Sequence, residues 1–484
     1  MKWIWTLTII LILTACTVPQ TPPTPFDQTQ GEPAPVSTDT PYVEVANPAA
    51  AYCAEQGFKS EIRTAADGSQ SGVCIFPDGS ECDEWAYFRG ECVSGQSIAT
   101  PTQEAQSTGD IIAAQAVSMP AGVIVNPYKI QTSMMDSLVF YTSNGSMLGE
   151  MSAPYTDKVH AAGAYQSALN FPIVFHSFDT NTRQQSLKIN KNGQVSDLLP
   201  LNERSVVSNL VGVPGEPTIS FTSFQPVDTK LQTQFFFGSV DSMPAVPAFT
   251  LESAESTYWK LVAIQARDGA SPGIWFTREP WGIGGDIVFM YQEGLSYLEV
   301  VSGKVTEVLS TDATFSSLSP DQTWIAYSIR KEGGGSDFFV CNLTGGEPVL
   351  IMPLPESDRG AGDGLFSPSN KYIVWREAQG SLMDGNFHET IRIATLDGQA
   401  VNNFADSMFY SVLQPQTGQP SKNPLPQFGE GTQVSPAGWL NDETFLVQAI
   451  SPEKPHDGAL IKVNAVTGEI TFFAYGDFAG WFYP

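Results

Sequence analysis

Phe315-Ser316-Ser317-Leu318-Ser319-Pro320-Asp321-Gln322-Thr323-Trp324-Ile325-Ala326-Tyr327 and Phe366-Ser367-Pro368-Ser369-Asn370-Lys371-Tyr372-Ile373-Val374-Trp375 repeat one pattern, with their Ser-Pro pairs 48 residues apart. Each copy reads as an apolar strand, a tight turn and a second apolar strand. Proline sets the turn, and the β-branched and aromatic residues on either side suit a pleated sheet. Trp439-Leu440-Asn441-Asp442-Glu443-Thr444-Phe445-Leu446-Val447 is a weaker third copy.

A second element recurs beside the first: strand, glycine-containing turn, strand. It occurs at residues 138–146, 187–195, 298–305, 340–347, 391–398 and 460–469, with turn glycines Gly145, Gly193, Gly303, Gly346, Gly398 and Gly468. Their spacings are 48, 110, 43, 52 and 70 residues, and the long gap leaves room for one divergent unit around residues 219–251. Strand, turn, strand and then a hairpin make four strands, which is one propeller blade. The fold class expected is therefore all-β, a seven-bladed β-propeller (six to eight within the spacing) over residues 120–484. The repeats resemble TolB-type and other WD40-like propellers, most clearly in Leu318-Ser319-Pro320-Asp321 and Phe366-Ser367-Pro368. That resemblance implies architecture only; no TolB partner is carried over.

The chain end supplies a test. Ala479-Gly480-Trp481-Phe482 repeats Ala437-Gly438-Trp439-Leu440, yet nothing follows it. Residues 479–484 are thus expected to form an innermost strand donated to the first blade, whose other strands come from residues 124–152.

Composition excludes several functions. Against 51 Asp+Glu stand 24 Lys+Arg among 484 residues, a formal charge of -27, which repels phosphate and argues against nucleic-acid binding. Ten Trp, 15 Tyr and 29 Phe supply too much buriable surface for a disordered chain. Charged residues make up only 15%, which favours a β-rich extracytoplasmic protein.

The amino terminus reads as an address. Lys2 precedes a run from Trp3 to Leu13, apolar except for Thr6 and Thr8, that is too short to span a membrane comfortably, and the run ends in Leu13-Thr14-Ala15-Cys16. This ending resembles the lipobox of bacterial lipoproteins, which implies a signal peptide over residues 1–15, cleavage before Cys16 and lipidation of its thiol. Anchoring to a bacterial cell membrane or outer membrane follows from the resemblance, without a transmembrane helix. Residues 16–46, rich in Pro, Thr and Gln, read as a tether, and residues 95–119 as a second linker.

Between the linkers lies a module over residues 47–94 with Cys53, Cys74, Cys82 and Cys92. No CxxC pair occurs and the spacings of 21, 8 and 10 residues match no common zinc site, so in an exported protein disulfides are expected. Pro77-Asp78-Gly79 reads as a hairpin turn that places Cys74 opposite Cys82. That register favours pairs 74–82 and 53–92, while 53–74 with 82–92 is equally open. Tyr52-Cys53, Gly72-Val73-Cys74, Phe76-Pro77-Asp78-Gly79, Glu84-Trp85 and Phe88-Arg89-Gly90-Glu91-Cys92 resemble a small bacterial domain of unknown function often labelled a hemolysin. Nothing in the segment suits insertion into a bilayer, so lysis is not carried over. Trp85, Tyr87 and Phe88 read as core residues of the module.

Chemistry is sparse. His160, His176, His388 and His456 stand singly, and no HExxH, Gly-x-Ser-x-Gly or P-loop pattern occurs. No catalytic residue, metal site or cofactor is expected. Asp358-Arg359-Gly360-Ala361-Gly362-Asp363-Gly364 lacks the spacing of a calcium loop, His388-Glu389 reads as a solvated pair in a loop, and Cys341 as a buried free thiol. Insertions at residues 376–388 and 406–435 read as loops projecting from blades, with Phe387, His388, Phe409, Tyr410 and Phe428 as candidate binding residues. The function expected is a non-enzymatic binding or scaffolding role at the cell envelope, with an envelope protein or extracellular ligand as partner. The competing expectation is a lyase or glycan hydrolase with two inward carboxylates about 5–10 Å apart.

Overall fold

The computed structural model describes residues 52–54, 56–64, 70–83, 87, 114–127, 137–153, 159–166, 168–178, 185–199, 206–227, 230–254, 257–265, 272–280, 289, 291–331, 335–345, 347–351, 353–381, 385–413, 428–452 and 458–484. Two compact units divide between Thr102 and Gln103. Cys16, the tether, Trp85, Phe88 and Cys92 lie outside the described residues.

In the first unit, strands Lys59–Thr64, Gln70–Ile75 and Glu81–Asp83 form an antiparallel sheet. Residues 76–80 close the hairpin as the Pro-Asp-Gly sequence requires. Gly79 takes φ 83° and donates to the Phe76 carbonyl at 2.9 Å, and Asp78 Oδ1 accepts from the Ser80 amide at 3.0 Å. Cys74 does face Cys82 across the sheet, yet it is bonded to Cys53, with 5.8 Å between the Cα atoms. Of the two pairings left open, the structure therefore has 53–74, and the 74–82 bond that the register favoured is not formed. Facing cysteines occupy one side of the sheet, and Cys53, before the first strand, packs in the same buried cluster and captures one of them. Cys82 is also disulfide-bonded, its partner lying outside the described residues. Phe58, Phe76 and Tyr87 meet edge to face with centroids 4.9–5.7 Å apart, which makes Tyr87 a packing residue.

The second unit is a succession of antiparallel sheets. The first combines Gly122–Asn126, Ser137–Thr142 and Met147–Ser152 with the last strand of the chain, Asp477–Phe482. This is the pairing expected of the chain end: Phe482 lies opposite Gly122 and Asp477 opposite Asn126. The second sheet holds Val159–Ala161, Ile173–Phe178, Gln185–Lys191 and Gln194–Leu199; the third holds Val206–Gly212, Thr218–Val227, Lys230–Ser239 and Phe249–Ala254. The third occupies the gap where the glycine repeat lapses. Its last hairpin runs through residues 240–248 instead of a two-residue glycine turn.

Next comes a seven-stranded sheet from Thr257–Gln265 to Val349–Ile351. Its long strand Val305–Leu318 pairs through Val305, Thr306, Glu307 and Leu309 with Glu293–Glu299, and through Thr314, Phe315, Ser317 and Leu318 with Trp324–Arg330. It thus closes one four-stranded unit and opens another. Two further four-stranded sheets follow: Gly360–Phe366, Tyr372–Gln379, His388–Thr395 and Ala400–Ala405, then Gln433–Trp439, Thr444–Ile450, Gly458–Asn464 and Ile470–Tyr475.

Sheet faces bury their apolar alternation against the neighbouring sheets. Ile124, Phe140 and Phe482 of the first pack with Ile173 and Phe175 of the second, while Val123 and Val125 on its other side pack with Leu446, Leu460 and Phe473 of the last. The first strand of most units carries a register shift against the second, between residues 207/209, 261/263, 315/317, 362/365, 436/438 and 478/480. Such bulges sharpen the bend of a strand. Gly438 belongs to one of them: a Cβ there would lie 2.4 Å from the Trp481 ring, so the glycine of the repeated Ala-Gly-Trp sequence lets the last sheet approach the first.

The Ser-Pro repeat folds twice into the same turn. Ser319 Oγ accepts from the amides of Thr323 and Trp324 at 3.1 and 2.9 Å, and Ser367 Oγ from those of Lys371 and Tyr372 at 3.1 and 3.0 Å. Gln322 and Asn370 occupy the left-handed position at φ 61° and 57°. Cys341 is free and buried, as its alternation with Phe339 and Leu343 implies.

Candidate functional site

Among the described residues, a dense polar cluster gathers on the sheet that begins with Gly360–Phe366. Its centre is Arg376, inside the strand Tyr372–Gln379 and not in a loop: the insertion expected from residue 376 begins only after Gln379, and the next strand starts at His388. Arg376 Nη1 donates to Glu389 Oε1 at 2.6 Å and Nη2 to Asp363 Oδ2. Tyr291, from before the strand Glu293–Glu299 of another unit, donates its hydroxyl to Asp363 Oδ1. The Phe289 ring lies under the guanidinium, 4.9 Å from its carbon, a cation–π contact.

Local backbone explains the convergence. Asp363 sits at the bulge with φ 52°, in a conformation aspartate tolerates better than most residues, and this aims its carboxylate at Arg376. Gly362 faces Arg376 in the register and leaves room for Phe289, whose Cβ would lie 2.6 Å from any Cβ placed on the glycine.

Glu389 is the buried member, its side chain 3% exposed, and it is no solvated loop residue. Its second oxygen accepts from the Val434 amide at 2.8 Å, tying this sheet to the last. Burial pushes its carboxyl above the usual range, opposed by attraction to Arg376 and the Val434 hydrogen bond. Burial also works against the Arg376 cation, and attraction to Asp363, Glu389 and Tyr291 overcomes it, so the guanidinium is held more firmly charged. The Tyr291 hydroxyl is raised by burial and by the Asp363 charge.

The sequence-derived candidates divide. His388 is half-exposed with Nδ1 3.3 Å from Asp406 Oδ2, and Phe387 beside it is partly exposed. Tyr410 is partly buried on the short helix Ser407–Tyr410, its hydroxyl pushed up to about 12 by burial and the Asp406 charge. Phe409, by contrast, is fully buried in the core between the last two sheets, and Phe428 packs against that same core. The helix turns Phe409 inward, so neither residue is the free loop aromatic expected. Tyr291, Asp363 and Arg376 were not legible as a group, because two of them fell in segments read as loops and the third lies far off in sequence.

A second buried charge cluster lies on the opposite face of the same strand. Glu377 accepts from Arg392 Nη1 at 2.7 Å, Trp375 Nε1 at 2.8 Å, the Leu354 amide at 2.8 Å and Ser357 Oγ. All of its acceptor capacity serves packing. Among the described residues no group of three or more His, Cys, Asp or Glu side chains is arranged to hold a metal ion.

Residues 44–91 match the family model Domain of unknown function (DUF333). The match falls on the four-cysteine module, ending one residue before Cys92, and leaves the rest of the chain unassigned. No curated protein matches. Among solved structures, the chain is similar to an oligogalacturonate lyase in complex with manganese at 9% identity, covering 85% of this chain and 97% of that one with a TM-score of 0.44. It is similar to the β-propeller domain of the Trilobed protease from Pyrococcus furiosus at 11% identity, covering 75% and 98%, TM-score 0.41. TolB from Acinetobacter baumannii is 14% identical, with 76% and 86% covered and a TM-score of 0.33.

Proposed function

We propose that this chain is a lipid-anchored cell-envelope protein whose second unit is a closed seven-bladed propeller used for binding rather than catalysis. Counting the long strand Val305–Leu318 twice gives seven four-stranded units. Closure is supported by Asp477–Phe482 pairing with the first sheet and by the core shared between the first and last sheets.

The observation that carries the binding reading is the state of the carboxylates. Asp363 and Glu389 are bound to one guanidinium that is itself only 16% exposed. A glycosidic acid–base pair needs two carboxyl groups facing a substrate across open space, one of them free to give up a proton. Here both are tied to a single guanidinium, and Glu389, only 3% exposed, faces no open space. What remains presentable is a rim of Tyr291, Phe387, His388 and Tyr410, aromatic and polar groups suited to recognising another protein. Anchoring through Cys16 rests on the lipobox resemblance.

The test is capture from native envelopes by photo-crosslinking with the full chain, comparing it with Tyr291→Ala and His388→Ala. A protein partner lost in both variants supports the reading; a captured glycan released in chemically altered form overturns it in favour of a lyase or hydrolase. Metabolic labelling with a fatty acid, lost in Cys16→Ser, tests the anchor.

A further inference from the structure

Both ends of the second unit's chain are fastened at the same kind of place. Gln115 donates its amide to the Asp321 carbonyl at 3.0 Å and accepts from Gln322 Nε2 at 3.2 Å, in the turn after Leu318. Six residues later the Ala121 amide bonds the Phe482 carbonyl at 2.9 Å, where the first strand of the first sheet ends. Tyr483 accepts from the Tyr165 amide at 2.6 Å, and the Pro484 carbonyl lies 3.2 Å from where a Cβ of Gly215 would be, in the turn after Val206–Gly212. Each anchor thus lies where a unit's first strand ends or beyond it, at one end of the stack.

Gln115 and Ala121 belong to places far apart in the succession of sheets. In a seven-membered ring, the first unit and the one opening with residues 314–318 stand on opposite sides, separated by three units one way and two the other. Six extended residues reach about 20 Å at ~3.3 Å each. With so short a reach, a chain joining those two inner turns takes a direct route over the end of the ring, and residues 483–484 run over the same end toward the third unit. Gln115 and Val117 are half-buried while Ala114, Ala116 and Ser118 are exposed, the alternation of a strand laid on a surface.

We propose that residues 115–121 and 483–484 form a built-in cover across the axial mouth on this face, so that ligands meet the propeller only on the opposite face, where Tyr291, His388 and Asp406 lie. The inference rests on the closed-ring reading above. Gln322 is suited to be the catch: its side chain is positioned from beneath by Trp275 Nε1, which donates to its Oε1 at 2.8 Å, and by the Ile264 carbonyl at 2.8 Å.

Two measurements on the full chain test it. Hydrogen exchange should show the Gln115 and Ala121 amides protected, with Gln115→Ala exchanging about 3–10-fold faster at residue 115 because one hydrogen bond is lost. Elastase should leave residues 114–121 intact in the unaltered chain and cut there several-fold faster in Gln115→Pro, which removes the amide that bonds Asp321. Exchange of Gln115 at the rate of an unstructured peptide, or elastase cutting equally fast in both proteins, would overturn the cover. Failure of the ring itself is read separately, as fast exchange along Asp477–Phe482 and Gly122–Asn126.

Discussion

Asn370 donates its side-chain amide to Asp321 Oδ2 at 2.7 Å, so that the Ser-Pro turn of one sheet holds the Ser-Pro turn of the sheet before it. The same linkage continues both ways. The Ser369 amide donates to Asp442 Oδ1 at 2.7 Å in the following sheet, and Gln322 Nε2 reaches back to the Ile264 carbonyl at 2.8 Å. Residues in the left-handed position of the repeat therefore bind backward, and the repeat stabilises contacts between units as well as each turn.

Replacing Asn370 separates its two roles. Asn370→Gly keeps the φ of 57° accessible and loses the bond to Asp321 together with the buried, unpartnered Oδ1; Asn370→Ala loses the same groups and strains the turn. We expect Ala to cost about 1 kcal/mol more than Gly in urea unfolding. A double-mutant cycle between Asn370→Gly and Asp321→Ala should show coupling of about 1 kcal/mol, a value discounted for the partial exposure of the pair.

Acid should loosen this linkage. Burial raises the Asp321 carboxyl, but hydrogen bonds from Ser319, Asn370 and Thr323 outweigh it and hold the group below its ordinary 3.8. An acid with a lowered folded pKa contributes stability that is complete above its unfolded value and is lost as pH falls through the folded one. The melting temperature of Asp321→Asn should therefore lie below that of the unaltered chain at pH 7, and the gap should narrow below about pH 4. An equal gap at pH 7 and pH 3 would refute this.

Glu377 is the strongest stability determinant we expect on the sheet. Its side chain has no exposure, and Glu377→Ala takes the carboxylate partner from Arg392 and the acceptors from Trp375 Nε1, the Leu354 amide and Ser357 Oγ, at a cost of about 3 kcal/mol. Glu377→Gln, which keeps the shape and one acceptor, should lose less. Denaturant midpoints of the two variants give the comparison.

Removing the Cys53–Cys74 bond should act on the first unit alone. The bond joins residues 21 apart in sequence, and the double variant Cys53→Ala/Cys74→Ala should lower that unit's stability by about 3 kcal/mol. Calorimetry should show its transition move while that of residues 103–484 stays in place.

Much of the fold was legible in the chain because it is written in local, repeated chemistry. The Ser-Pro turn and the glycine hairpins act within a few residues, and their spacing predicts four-stranded units. The repeat Ala437-Gly438-Trp439 and Ala479-Gly480-Trp481 even foretells the pairing of the last strand with the first sheet. The disulfide was legible only as one of two open pairings: the register placing Cys74 opposite Cys82 is correct, but the choice of Cys53 as partner depends on how the preceding segment packs over the sheet.

The candidate site was the least legible part, for a similar reason. Arg376 and Glu377 are adjacent in sequence, yet in a strand they point to opposite faces and join different clusters. Nothing local distinguishes them from solvated charges. Sequence by itself determined the strands, their turns, the repeat and the four-cysteine module, because those depend on neighbours along the chain. Only the tertiary structure decided that Tyr291, Asp363, Arg376 and Glu389 meet, since they converge through a bulge, a glycine gap and the packing of units far apart in sequence.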